Sequence, residues 1–217
     1  MEYLPIFIQI KHRPCLVVGG GSIAARKVAL LRKAQAEVIV VSPELCPELE
    51  GLSQDGLIQY KARGFEDIDL EECVMVIAAT DQHDVNQHIS ELANQLRLPV
   101  NVVDNPKQGS FIMPSIIDRS PVVIAVSTGG SSPVLARLIR TRLEGSIPAA
   151  YGQLAKLVES FRDKVKAAFP DVESRRRFWE RILEGSVAEK VFTGHVNDAK
   201  QMLDKAIDEQ SETPNIP

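Results

Sequence analysis

The first hundred residues alternate between short, almost wholly apolar runs and longer segments whose apolar residues recur at helical spacing. "CLVVG" from Cys15, "EVIVVS" from Glu37, "CVMVIAAT" from Cys73 and "LPVNVVD" from Leu98 predict strands, with "LIQYKA" from Leu57 a weaker one. Ser22 to Lys33 predicts a helix with apolar positions at Ile23, Val28, Leu30 and Leu31. "DVNQHISELANQL" predicts another, with Val85, Ile89, Leu92 and Leu96 on one face. Strands that are apolar throughout and separated by helices belong to a parallel sheet covered on both sides. The pattern then changes. "SFIMPSIIDRSPVVIAVSTGG" predicts one or two strands interrupted by Pro114 and Pro121. Helices follow in "SSPVLARLIRTRLE", at about 148–169, at about 173–183 and, more weakly, up to 207, and "SETPNIP" reads as an unpacked tail or the start of a linker. The expected fold is α/β: a Rossmann-like parallel-sheet domain at 1–113, a small middle segment at 114–146 and a helical region with its tail at 147–217.

Composition excludes more than it identifies. With 217 residues, 44% hydrophobic and 25% charged, the chain has the balance of an ordinary globular protein with a real core. Its formal charge of −4 offers no basic field for nucleic acid. The basic stretch "ESRRRFWERI" is one helical turn of charge beside Trp179, expected in the core. Cys15, Cys46 and Cys73 form no CxxC pair, which favours reduced thiols in the cytoplasm. No apolar run approaches the ~20 residues of a membrane span, and "MEYLPIFIQIKHRP" is too short and interrupted for a signal peptide. His12, His83, His88 and His195 lack metal-ligand spacing, so no resident metal is expected.

Chemistry enters at Gly19-Gly20-Gly21-Ser22-Ile23-Ala24, which fits G-x-G-x-x-A between a strand and a helix. In that pattern Gly19 makes the tight turn and Gly21 lets a pyrophosphate approach the main chain. Ala24 lets the helix pack on the sheet, and N–H groups of the first helical turn point at the phosphate. After the second strand, where Asp or Glu commonly holds the ribose hydroxyls, stand Ser42 and Pro43, with Glu44 just beyond. "SPELCPELE" has no Lys or Arg for a 2′-phosphate, so NAD is preferred over NADP. Thr80 and Asp81 follow the fourth strand and Asp104 the fifth, where ligands of open α/β sheets lie. Asp104 reads equally as a base or substrate anchor and as an Asx turn before Asn105-Pro106. Beyond Thr128, Gly129 and Gly130 invite an anion nest. Ser131 or Ser132 suits a helix cap before Pro133. Arg137 and Arg140 share a helix face that serves either substrate carboxylates or solvent.

"LPIF" at Leu4, "VVGGGSIAARK" from Val17, "AATD" from Ala78, "NVVD" from Asn101, "SFIMPSIIDRSP" from Ser110 and "SPVLAR" from Ser132 together resemble the N-terminal module of siroheme synthase. That module is the precorrin-2 dehydrogenase and sirohydrochlorin ferrochelatase. The resemblance covers about residues 1–205 and is most specific from Asn101 to Arg142. It implies a homodimer that joins through the middle segment, NAD bound by the Rossmann-like domain, and a helical region that helps enclose a tetrapyrrole. It implies NAD-dependent oxidation of precorrin-2 and insertion of Fe2+, a substrate, into sirohydrochlorin. By position it puts Ser22 and Ile23 on the pyrophosphate, Pro43 and Glu44 beside the adenosine ribose, and the functional aspartate on Asp104. Asn101, Thr128, Gly129, Gly130 and Arg137 fall on the substrate side, with Thr128 in place of the family's serine. Full siroheme synthases continue into a methyltransferase, so the chain reads as either an excised fragment or a stand-alone enzyme. Competing readings are a dehydrogenase without chelatase activity and a dimeric NAD-sensing module.

Overall fold

The computed structural model describes residues 1–103 and 105–211, with side chains through residue 209. Contacts divide the chain into two units: Met1–Met113 with Gly129–Ser131, and Pro114–Thr128 with the chain from Ser132 onward.

In the first unit, β1 (Pro14–Val18), β2 (Glu37–Val41), β3 (Gln59–Lys61), β4 (Met75–Ala78) and β5 (Val100–Val102) form one sheet. Its order is β3-β2-β1-β4-β5, and every pairing is parallel. The strands are apolar on both faces because both are covered. Cys15, Val17, Val38, Val40, Met75 and Ile77 pack with α1 (Ser22–Lys33) and α2 (Pro47–Gln54). Leu16, Val18, Val41, Val76, Ala78 and Val100 pack with α3 (His83–Gln95). The expected Rossmann-like sheet is therefore present.

The helices differ from the pattern in instructive ways. α2 was not among the expected elements: it has eight residues and buries only Leu49, too few for a period to show. Pro47 opens it, and Glu48 and Glu50 favour its N-terminal end. On α1 the buried stripe is Ala24, Ala25, Val28 and Leu31, whereas Ile23 is 39% exposed. On α3, Asn86, Ile89, Ser90 and Ala93 are buried and Leu96 is exposed. Small residues let a helix come close to the sheet, so the inner stripe is not the most hydrophobic one.

The second unit starts with an antiparallel pair, β6 (Ser115–Arg119) and β7 (Val122–Val126), joined across a cis Ser120–Pro121 bond. α4 (Pro133–Ser146) packs on both strands. Ser132 caps it, its Oγ accepting from the Leu135 N–H at 3.2 Å, with Pro133 in the first turn. α5 (Ala150–Ala168), α6 (Val172–Glu184), α7 (Ser186–Phe192) and α8 (Val196–Ser211) enclose a separate core around Leu157, Phe161, Phe178, Val191 and Leu203. Phe178 is buried there; Trp179, expected in the core, is only half-buried at its edge. Two aromatic neighbours on one helix cannot both face inward, and Phe178 shares the inner stripe with Ile182.

The position of the site follows from strand order. The chain lays β2 and β3 outward from β1, then returns to place β4 on the opposite side of β1. Register pairs Val18 with both Val41 and Ala78, so the three carboxyl ends are level. A crevice at that reversal is where doubly wound sheets bind ligands.

Candidate dinucleotide site

Three loops leave the sheet at this level, carrying residues 19–21, 42–46 and 79–82, and they line a cleft of about 660 Å³. Each glycine of the first loop has a different reason to be there. Gly19 takes φ +122°, and a Cβ on it would lie 2.3 Å from the Ala79 carbonyl oxygen. A Cβ on Gly20 would lie 1.8 Å from the Glu44 carbonyl oxygen and 2.7 Å from Ser42 Oγ. The Gly20 carbonyl also accepts from the Cys46 N–H at 2.7 Å, so the first and second loops are pressed together at this residue. Around Gly21 nothing lies within 4 Å of a built Cβ. That open space is the cradle a close-approaching phosphate needs.

α1 begins at this cradle. Gly21 is its N-cap, no side chain caps it, and its first turn holds no acidic residue. The N–H groups and the positive end of the helix dipole are therefore left to an external anion. Gly19, Gly21, Ser22, Ile23, Pro43, Glu44, Thr80 and Asp81 all line the cleft, as do Gly20, Phe65, Gln82 and Val85, which the sequence did not single out. Ala24 is fully buried and packs beneath the loop, as its small size allows. Ser42 is buried and Glu44 exposed on the rim. The Tyr60 hydroxyl donates to the Pro43 carbonyl at 3.2 Å and steadies the turn between them. Uncapped helix, open glycine and a volume within the ordinary range for ligand sites make these residues fit a dinucleotide.

The third loop is held by a residue the sequence did not single out. Asn86, buried on α3, accepts at Oδ1 from the Thr80 N–H at 3.3 Å and from the Thr80 hydroxyl at 2.7 Å. Its Nδ2 donates to the Thr80 carbonyl at 2.9 Å. The Gln82 N–H donates to Thr80 Oγ1 at 3.1 Å. One side-chain amide thus takes the place of a neighbouring strand for a turn that has left the sheet. The signal available was a polar residue sharing the 86, 89, 90, 93 stripe with apolar ones.

A second buried polar group lies beyond β3. The Asp69 side chain is fully buried and accepts from Lys61 Nζ at 2.8 Å, from Arg63 Nη1 and Nη2 at 2.8 and 2.7 Å, and from the Glu66 N–H at 3.0 Å. Burial alone would raise its pKa. The hydrogen bonds from Arg63, Lys61 and the Glu66 amide together outweigh it and hold the carboxyl far below the usual carboxylate range.

The remaining expected residues are placed differently. Asn101 is buried within β5, outside the cleft lining, and its Nδ2 donates to the Phe111 carbonyl at 3.0 Å. It anchors the segment after β5. Gly129 and Gly130 are both left-handed, with φ of +64° and +85°. Thr128 Oγ1 donates to the Ser132 carbonyl and accepts from the Ser132 N–H, each at 3.0 Å, so its hydroxyl closes the turn before α4. Arg137 is exposed on α4, whereas Arg140 is paired with Glu144 at 2.8 Å. Asp104 lies outside the described residues. Among the described residues, no three His, Cys, Asp or Glu side chains gather as a metal site, and no helix is long and apolar enough to cross a membrane.

Fold and cleft together define a Rossmann-like nucleotide-binding protein. A family model described as putative NAD(P)-binding matches residues 6–115. One described as sirohaem biosynthesis protein central matches 119–146, and one described as sirohaem synthase dimerisation region matches 150–207. The chain belongs to this NAD(P)-binding family, and the two sirohaem models match most of the remainder. The dimerisation description falls on α5 to α8 rather than on 114–146. A siroheme synthase of Thioalkalivibrio sulfidiphilus is 59% identical over 208 residues, 96% of this chain and 42% of that protein. The Nitrosospira multiformis siroheme synthase is 56% identical over 218 residues, 99% of this chain and 46% of that protein. The chain thus spans less than half the length of these relatives. A solved structure, SirC, precorrin-2 dehydrogenase, shares the fold with a TM-score of 0.76 at 23% identity, covering 94% of this chain and all of that one.

Proposed function

We propose that the cleft binds NAD+ and that the module oxidises precorrin-2 to sirohydrochlorin, then inserts Fe2+ to form siroheme. The observation that carries the reading is the uncapped start of α1 facing a cleft where Gly21 leaves open space. The names of the relatives supply the tetrapyrrole chemistry.

Bound NAD+ supplies a hydride acceptor. The chain's own residues do the rest. Gly21, Ser22 and Ile23 hold the pyrophosphate through main-chain N–H groups, and Glu44 accepts from the ribose hydroxyls. Thr80, held by Asn86, and Asp81 next to it shape the far side of the cleft. Asp104, two residues past β5 in the chain, takes the proton released when precorrin-2 loses a hydride. In the second reaction the same carboxylate accepts the two pyrrole N–H protons one after the other as Fe2+ enters, releasing the first to water before it takes the second. Gly129, Gly130 and Arg137 meet the carboxylates of the substrate, each charge-assisted bond contributing about 1.5–3 kcal/mol. The working form is a homodimer in the cytoplasm.

The test mixes the protein with precorrin-2 and NAD+ and follows the absorbance of the macrocycle, then adds Fe2+. Two successive spectral changes are expected. Iron insertion into preformed sirohydrochlorin without NAD+ separates chelatase activity from dehydrogenation. NAD+ binding without tetrapyrrole binding would identify a sensor instead. Asp104→Ala is expected to slow both reactions, and wild-type rates in both would refute the shared carboxylate.

A further inference from the structure

We propose that the buried Asp69 carboxylate sets the choice of NAD over NADP by withholding Lys61 and Arg63 from the adenosine end of the cleft. The inference rests on the dinucleotide reading above and deepens it. A 2′-phosphate is recognised by cations near the carboxyl end of β2. The stretch "SPELCPELE" has none, but the tertiary structure brings two from elsewhere in the chain. Lys61 closes β3 opposite Val41, and its carbonyl accepts from the Ser42 N–H at 3.3 Å. Arg63 directly precedes Gly64 and Phe65, which line the same cleft as Ser42, Pro43 and Glu44. Both cations thus stand on the segment that leaves β3 next to the residues lining the adenosine end of the cleft.

Both charges are countered. Lys61 makes its bond to Asp69 at 2.8 Å, and Arg63 grips both Asp69 oxygens. Arg63 also lies 3.7 Å from the Glu66 carboxylate. Two cations face two carboxylates, and Glu44 adds a negative charge on the rim. A 2′-phosphate near Arg63 would meet a guanidinium whose charge is already offset by Asp69 and Glu66 and whose fork is held by the bidentate contact. The ribose hydroxyls of NAD need no cation and find an acceptor in Glu44.

The experiment measures the dissociation constants of NAD+ and NADP+ by titration calorimetry on the whole chain. It compares wild type, Asp69→Asn, the double variant Asp69→Asn/Arg63→Gln, and Glu66→Gln. Asp69→Asn keeps an acceptor for the Glu66 N–H but frees one positive charge. At an effective dielectric between protein surface and water, that charge improves NADP+ relative to NAD+ by about fivefold or more. The double variant restores the wild-type ratio. Glu66 is 60% exposed, so Glu66→Gln folds whatever the fate of Asp69→Asn; it shifts the ratio the same way by about twofold. Wild-type ratios in Glu66→Gln and in folded Asp69→Asn overturn the inference alone, as does wild type binding both dinucleotides equally. Wild type that binds no NAD+ overturns the dinucleotide reading and this inference with it.

Discussion

Substituting alanine at two adjacent glycines separates what the glycine loop does for the fold from what it does for the ligand. At Gly20 the new methyl group would sit 1.8 Å from the Glu44 carbonyl oxygen, with Ser42 Oγ at 2.7 Å. The obstacle is main chain, and the 2.7 Å bond from the Cys46 N–H to the Gly20 carbonyl holds the two loops together. Relief therefore requires the loop from Ser42 to Cys46 to move as a body. Overpacking of this kind costs about 2–3 kcal/mol, a fall in Tm of roughly 5–10 °C for a chain of this size. At Gly21 the methyl group meets nothing within 4 Å. Alanine is a poorer N-cap than glycine by several tenths of a kcal/mol, roughly offset by the reduced freedom of the unfolded chain. Gly21→Ala should thus melt within about 2 °C of wild type and lose at least about tenfold in NAD+ affinity, or ~1.4 kcal/mol. The assay pairs differential scanning calorimetry without ligand with calorimetric titration of NAD+. A Gly20→Ala protein that melts like wild type, or a Gly21→Ala protein with unchanged NAD+ affinity, would refute the assignment of clash to one glycine and cradle to the other.

The depressed Asp69 carboxyl contributes stability that is fully present above the unfolded value near 4 and is lost as pH falls toward its lower folded value. Asp69→Asn should therefore be less stable than wild type at pH 7 by about 1.5–3 kcal/mol, with partner exposure favouring the lower end. The gap should narrow below pH 4 in urea midpoints measured from pH 7 to 2, and a constant gap refutes the charge assignment. Asn86→Ala removes both partners of the Thr80 turn and should cost about 1–3 kcal/mol; it should also raise the KM for NAD+ more than it lowers kcat, and an unchanged KM would show that the turn does not bear on the dinucleotide. Burial raises the Cys15 and Cys73 thiols to about 11, whereas Cys46 is half-exposed and lines the cleft. A thiol reagent at pH 8 should modify Cys46 first, and saturating NAD+ should slow that reaction; equal rates with and without NAD+ would put the ligand elsewhere.

Much of the cleft lining is legible in the sequence because its glycine loop is local. A strand, three glycines and a helix start are contiguous, so Gly19, Gly21, Ser22 and Ile23 reach the cleft by chain connectivity alone. Glu44, Thr80 and Asp81 reach the cleft lining as a rule about strand ends expects, and that rule holds wherever a parallel sheet forms. Asn86, Gly20 and Asp69 were not found, since each acts on a residue from another segment. Nothing in "DIDL" states that its second aspartate will receive Lys61 and Arg63, and nothing in three consecutive glycines states that the middle one meets the Glu44 carbonyl. α2 escaped because one buried leucine makes no period.

Periodicity and the glycine motif by themselves determined the class of the first unit and the place where phosphate chemistry can occur, because both depend on interactions within a few residues of chain. Only the tertiary structure decided which strand stands beside which, and with it what faces the crevice. The order β3-β2-β1-β4-β5 levels Val18 with Val41 and Ala78 and carries two cations to the end of β2. Whether those cations greet a phosphate or turn to Asp69 depends on distances of about 3 Å between segments several residues apart. Electrostatic and steric energies change steeply over such distances, and a linear pattern does not contain them.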